Sequence, residues 1–257
     1  MAQKLRAKTV PIPPFWGARM LTSIQVADII PYIHLPTLYR FHWGINNHDQ
    51  LATSTLQQLI AENNQQLILQ PQAVYGYFPG KSDGNNLIIY ENIDTKKEAC
   101  RFSFPRQTSS PNLCLADFFC PITDQETDLV ILQLVTIGPK AADFARALFT
   151  QNEYQKYLFW RGFNVAVTEG LAEFVHRKIL QELGLIDKNA ASSQHYGTRF
   201  SLGFPACPNL EDQQKIIHLL EAQKIGVSLS ETFQLLPEES TSAIVIHNPQ
   251  SKHFFIT

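Results

Sequence analysis

The order of the short apolar runs constrains this chain more than any other feature. Strand-like runs at Ala73 to Phe78, Leu87 to Tyr90, Ala99 to Phe104 and Leu129 to Ile137 come first. Helical spacing then holds from 139 to 183, where two helices are expected, and strand-like runs return at Thr232 to Leu236, Ala243 to His247 and His253 to Thr257. Strands, then helices, then strands, without the alternation that builds crossover units, argue for an α+β fold over a doubly wound parallel sheet. Ser82-Asp83-Gly84-Asn85-Asn86 joins the first two runs through residues that tolerate positive φ, so they pair as a hairpin and the sheet is antiparallel.

The segments around this frame are read in the same way. Residues 1–20 are basic and then proline-rich, which predicts an extended strap on the surface, pinned by Trp16, with residues 21–257 forming a single domain. Thr22 or Ser23 is placed to cap a short helix that Pro31 ends and Pro36 breaks again. Leu51, Leu56, Leu59 and Ile60 at near-helical spacing, with a Gln-rich outer face, predict an amphipathic helix over 50–66. Val165, Leu171, Ala172, Val175 and Ile179 form one stripe of the later helical stretch, and Gly184 is its stop. A Ser/Asn-rich connection at 187–194 leads to a Gly/Pro-punctuated loop at 197–208 and then a helix near 210–223.

Charge and composition exclude several functions. Twenty-one Lys and Arg against 23 Asp and Glu leave a formal charge of −2, so there is no basic field to hold phosphates and nucleic acid is not an expected partner. The longest apolar run, Leu129 to Ile137, is far short of the about 20 residues of a membrane helix. Lys4, Arg6 and Lys8 precede Val10-Pro-Ile-Pro-Pro14 instead of a signal-peptide core, so no membrane and a cytoplasmic location are expected. Cys100, Cys114, Cys120 and Cys207 show no paired spacing, so neither a disulfide nor a structural zinc is expected.

Most catalytic signatures fail. Gly80-Lys81-Ser82 resembles the end of a phosphate loop, but Tyr75 stands where the first glycine is required, and a hairpin turn is the reading. Glu173-Phe-Val-His176, with Glu169 one turn earlier, places three potential ligands on one helical face. The second helix of a di-metal site is missing, because His218-Leu-Leu-Glu221 runs in reverse, so a solvated charged face and no metal are expected. The informative segment is Tyr196-Gly-Thr-Arg199-Phe-Ser-Leu-Gly203-Phe-Pro-Ala-Cys-Pro208. Two prolines after a glycine stiffen the backbone beside Arg199, whose fork matches a carboxylate. From these residues alone a proline-rich connection with an exposed arginine is the simpler reading, and a clamp for another small anion has no support beyond Arg199 itself.

In order along the chain, Val10-Pro-Ile-Pro-Pro-Phe-Trp-Gly17, Ala73-Val-Tyr-Gly-Tyr-Phe-Pro79 with Ser82-Asp-Gly84, Arg101 to Gln107, Cys114-Leu-Ala-Asp-Phe-Phe119, Thr168-Glu-Gly-Leu-Ala-Glu-Phe174 with His176, Arg199 to Pro208 and Leu229-Ser-Glu-Thr-Phe233 strongly resemble the S-adenosylmethionine-binding activation domain of cobalamin-dependent methionine synthase. The resemblance implies a single helmet-like domain with a twisted antiparallel sheet flanked by helices. It implies that S-adenosylmethionine methylates cobalamin whose cobalt has been oxidised and then reduced by flavodoxin or a flavoprotein reductase. It implies a part of a methyltransferase in methionine biosynthesis, not a complete enzyme alone. Asp-x-His-x-x-Gly, the cobalamin signature, is absent here, so cobalamin is expected on a partner methionine synthase chain and the reactivation in trans. No catalytic residue is implied. The implied ligand-binding residues are Arg199, Gly203, Phe204, Pro205, Ala206, Cys207, Glu169 and Phe254, with His34 standing where the family has an aspartate and His253 where it has an aromatic residue. A family member that keeps only a docking or scaffold role is the alternative.

Overall fold

The structure, a computed structural model, describes residues 9–46, 49–187, 197–248 and 251–256. In chain order it contains β1 (Gly17–Leu21), α1 (Val26–Ile29), α2 (Leu35–Thr37), α3 (Gln50–Gln66), β2 (Gln72–Asp83), β3 (Asn86–Tyr90), β4 (Glu98–Ser103) and β5 (Asp128–Thr136). There follow α4 (Pro139–Thr150), α5 (Tyr154–Glu182), β6 (Thr198–Ser201), α6 (Gln213–Leu220), β7 (Ser228–Leu229), β8 (Leu235–Leu236) and β9 (Ser240–Ile246). The main sheet is antiparallel, in the order β4-β3-β2-β5-β9-β6, and helices lie against both faces, as the α+β reading requires.

The long strand β2 organises one end of this sheet. β5 occupies one of its edges, while β1 and β3 share the other, β1 opposite residues 73–77 and β3 opposite residues 80–83. At Gly80 a Cβ would lie 2.5 Å from Val130 Cγ2 and 2.6 Å from the Ile88 carbonyl oxygen, so glycine is what lets three strands close in there. Every residue of β5 is buried, because alternate side chains enter two separate cores. Leu129, Ile131 and Val135 meet Trp160, Phe163, Val167 and Leu171 of α5, whereas Val130, Leu132 and Leu134 belong with Ile216, Ile217 and Leu220 of α6.

Several sequence expectations are corrected. Trp16 is exposed; Phe15 is the anchor, packed edge-on against Tyr75 and Tyr77 with the Arg19 guanidinium 3.8 Å above its ring. The end of the strap is a paired strand, β1, because the free edge of β2 offers backbone partners. Gln25, not Thr22 or Ser23, caps α1, in a reciprocal capping box with Asp28, while Ser23 has positive φ. α1 stops just before Pro31, as expected; Pro31 then sits in the first turn of the 3-10 segment Ile30–Tyr32, and Pro36 sits in the first turn of α2 instead of breaking a helix, since neither position needs an N–H. Gly80-Lys81-Ser82 lies in β2, and the turn proper is Gly84-Asn85. Val167, one residue pair along from Val165, fills the core stripe, and Val165 is only half-buried. Residues 198–201 form an edge strand rather than loop, and residues 253–256 form none. The Ser/Asn-rich connection falls largely on residues outside those described, as does Tyr196.

A buried contact between Asp128 and His247 ties the start of β5 to the end of β9. His247 Nε2 lies 2.9 Å from Asp128 Oδ1, and the N–H groups of Cys120 and Leu129 donate to the same carboxylate. Burial opposes the charge of Asp128, but the His247 contact and the two N–H donors outweigh it and hold its pKa below the ordinary aspartate value. Removing one partner of a buried pair costs about 3–5 kcal/mol, so Asp128→Asn should lower the urea midpoint by a corresponding amount. Because the folded pKa is depressed, this contribution is complete above about pH 4 and is lost as pH falls through the folded value. Denaturation between pH 2 and pH 6 should therefore show a steeper acid decline for the parent than for Asp128→Asn.

Candidate functional site

Glu169, Glu173 and His176 project from one face of α5 because spacings of four and three residues return to the same side of a helix. That face looks onto the sheet edge formed by β6, where Arg199 is carried. Between them lies a cleft of about 540 Å³, within the roughly 300–1,000 Å³ range of small-molecule sites, lined also by Phe204, Thr241, Lys252 and His253. The expected solvated charged face is thus a cleft wall, and His176 is buried in it.

Charges in the cleft are arranged around Arg199. Its Nη2 lies 3.5 Å from Glu173 Oε2 and 3.9 Å from Glu169 Oε2, and His176 Nδ1 lies 3.6 Å from Glu173 Oε2. Burial works against the charge of Glu173, yet the contact with His176 and the nearby charges of His176, Arg199 and Arg177 prevail and lower its pKa. Burial, assisted by the charge of Arg199, lowers the pKa of His253, so its ring is neutral at pH 7. Half-exposed ion pairs of this length contribute at most about 1 kcal/mol, so Arg199 is oriented by its glutamates without being locked to them. A ligand carboxylate can displace them.

The 203–207 segment is a tight reversal rather than the extended wall the prolines suggested. Gly203 N donates to Cys207 O at 2.9 Å, Cys207 N to Phe204 O at 2.9 Å, and the Cys207 thiol to Ser201 O at 2.9 Å. Gly203 sits at φ +93°, a conformation L side chains rarely adopt, so the reversal needs glycine there. The turn holds the Phe204 ring out at the cleft, 63% exposed, with Gly203 and Pro205 exposed beside it. Ala206 and Cys207 turn into the core. Burial pushes the Cys207 thiol up to about 12, which makes it a packing group and no nucleophile.

The remaining expected residues separate. His253 lines the cleft with its ring 5.2 Å from that of Phe200. Phe254 packs beneath it against Phe118 and Phe200. His34 is exposed and is not among the lining residues; its Nδ1 lies 2.7 Å from Thr37 Oγ1 and accepts from Thr37 N, so it caps α2. Sequence reasoning missed Thr241 and Lys252, which carry no motif; Thr241 lies on β9, the neighbour of β6 in the sheet, and Lys252 on the irregular segment that follows β9. No cluster of three or more His, Cys, Asp or Glu side chains among the described residues is arranged to hold a metal. No helix among them is long and apolar enough to cross a membrane.

The model of a family described as vitamin B12 dependent methionine synthase, activation domain, matches residues 46–257. The chain is 36% identical over 277 residues to the methionine synthase of Mycobacterium tuberculosis (strain ATCC 25618 / H37Rv), covering 95% of this chain and 23% of that protein. Against the methionine synthase of Mycobacterium leprae (strain TN) it is 34% identical over 275 residues, with the same shares, 95% and 23%. The chain therefore spans less than a quarter of the length of these relatives. Among solved structures, the crystal structure of the MetH reactivation domain bound to AdoHcy superposes with a TM-score of 0.87 at 22% identity, covering 97% of this chain and 84% of that one, and so has the same fold.

The cleft electrostatics are testable without a ligand. Arg199→Ala removes one of the charges that lower the Glu173 pKa, and His176→Ala removes the larger one. Carboxyl-carbon NMR titration should show the Glu173 pKa rising in both variants, further in His176→Ala; no change in either would mean that the cleft geometry is wrong.

Proposed function

The chain belongs to the vitamin B12 dependent methionine synthase activation-domain family, and on that premise we propose that the cleft between α5 and β6 binds S-adenosylmethionine for the reductive reactivation of cobalamin. The observation that carries this reading is the Arg199 fork, set beside an exposed aromatic ring, Phe204, in a cleft of small-molecule size. Arg199 takes the ligand carboxylate, and the electron-rich face of Phe204 accepts the sulfonium. The turn from Gly203 through Pro205, Ala206 and Cys207 holds that ring, Glu169 borders the ligand, and Phe254 supports the floor on which His253 rests. His34 takes no direct part, being engaged in its cap.

Bound there, S-adenosylmethionine supplies an electrophilic methyl group to cobalt reduced by one electron from flavodoxin or a flavoprotein reductase. The protein's own contribution is position: it holds the donor while the cofactors carry the chemistry, and a favourable methylation draws an uphill reduction forward. Cobalamin is presented in trans by a methionine synthase chain. The second reading, a docking scaffold without a methyl donor, draws on the engagement of Arg199 by Glu173 and Glu169 and on the absence of an anion at His34.

Calorimetric titration separates the two. Charge-assisted hydrogen bonds contribute about 1.5–3 kcal/mol, so Arg199→Ala should weaken S-adenosylmethionine binding by roughly 10- to 150-fold. Absence of heat with the parent chain at millimolar ligand removes the methyl-donor reading; capture of a cobalamin-bearing methionine synthase chain without any ligand would then support the scaffold.

A further inference from the structure

Beside the cleft, a second cavity of about 220 Å³ opens between α5 and the start of β9 and shares Glu169 and Thr241 with it. It is smaller than the roughly 300 Å³ at which small-molecule sites begin, so it suits one arm of a ligand whose body lies next door. Three carboxylates, Glu169, Glu238 and Glu239, line it against one guanidinium, Arg161. Arg161 reaches Glu239 Oε1 at 2.5 Å and Glu238 Oε1 at 2.8 Å, which leaves the cavity short of positive charge.

Glu239 is the informative group. Its side chain is only 2% exposed, and its Oε2 is buried with no hydrogen-bond partner among the described residues. Buried carboxylate oxygens are costly without a donor, and folds that keep one leave room for a group that completes it. A cationic donor small enough for this cavity would complete it and offset the excess of carboxylates.

Resting on the function proposed above, we infer that this cavity receives the α-ammonium of S-adenosylmethionine, with Glu239 and Glu169 as its acceptors. The ligand's aminobutanoate arm is a short flexible chain bearing one ammonium and one carboxylate on the same carbon. With the ammonium at Glu239, the carboxylate is directed back to Arg199, whose Nη2 is 3.9 Å from Glu169 at the junction of the two cavities. The adenosine is then left to the larger compartment beside Phe204. Glu239 thus makes the site selective for ligands that retain the amino group.

The test pairs a ligand change with a side-chain change. Calorimetry of the parent chain with S-adenosylmethionine and with its desamino analogue, in which hydrogen replaces the ammonium, should show the analogue binding roughly 10- to 150-fold more weakly. In Glu239→Gln the parent ligand should weaken by a similar factor and the difference between the two ligands should shrink to within about threefold. Equal affinity of the parent chain for both ligands overturns the inference and leaves the proposed function standing. Unchanged discrimination in a folded Glu239→Gln variant overturns it as well. If that variant fails to fold, the comparison of the two ligands on the parent chain decides alone. Failure of the parent chain to bind either ligand removes the function reading, and this inference with it.

Discussion

A nine-residue strand with no polar face can be stable in water only between two layers, and the rest of this molecule follows from how β5 is covered. α5 supplies one layer and α6 the other, so the main sheet borders two cores instead of one core and solvent. Burial on both faces makes an antiparallel strand read as a continuous apolar run, a pattern more often met in parallel sheets. It also fixes where a site can be. The sheet faces are filled, and among the described residues a cleft of small-molecule size lies where α5 passes the short edge strand β6.

Two contacts of carboxylates with basic side chains have opposite roles in this protein because of their depth. Asp128 and His247 are enclosed, and their separation would leave uncompensated polarity inside the fold. Arg199 and its two glutamates are partly solvated, at distances where screening leaves little net energy. The first pair fastens strands together, whereas the second leaves a guanidinium pointing into a cleft. A buried histidine, a neutral His253 ring and the projecting Phe204 complete a surface that accommodates both charge and aromatic area.

Membership of the activation-domain family and the α+β fold of the chain agree, yet the shared fold does not by itself assign ligand contacts. The position of His34 illustrates this: its imidazole caps a helix outside the cleft, while Glu169 and Glu173 of α5 line the cleft and Glu239, just before β9, lines the adjoining cavity. The cationic methyl donor that the family reading assigns to this cleft would meet its counter-charges on the opposite wall. Function is carried by such local placement on a common scaffold.

The sequence by itself determined the elements whose signals are local. The Gln-rich helix Gln50–Gln66, the hairpin through Gly84, the break between α4 and α5 and the helix stop at Gly184 follow from periodicity, turn chemistry and positive-φ residues a few positions apart. Arg199 and Phe204 were legible as a clamp beside a stiff turn, since both lie within one short segment. Tertiary structure alone decided that Phe15 and not Trp16 anchors the strap, that residues 198–201 complete the sheet, and that Arg199 faces Glu173. It alone decided that Glu239, in a Pro-Glu-Glu-Ser stretch without any motif, is buried with an unfilled acceptor. Each of these depends on partners tens of residues away in the chain, and pairing across such distances is set by packing, which no local pattern encodes.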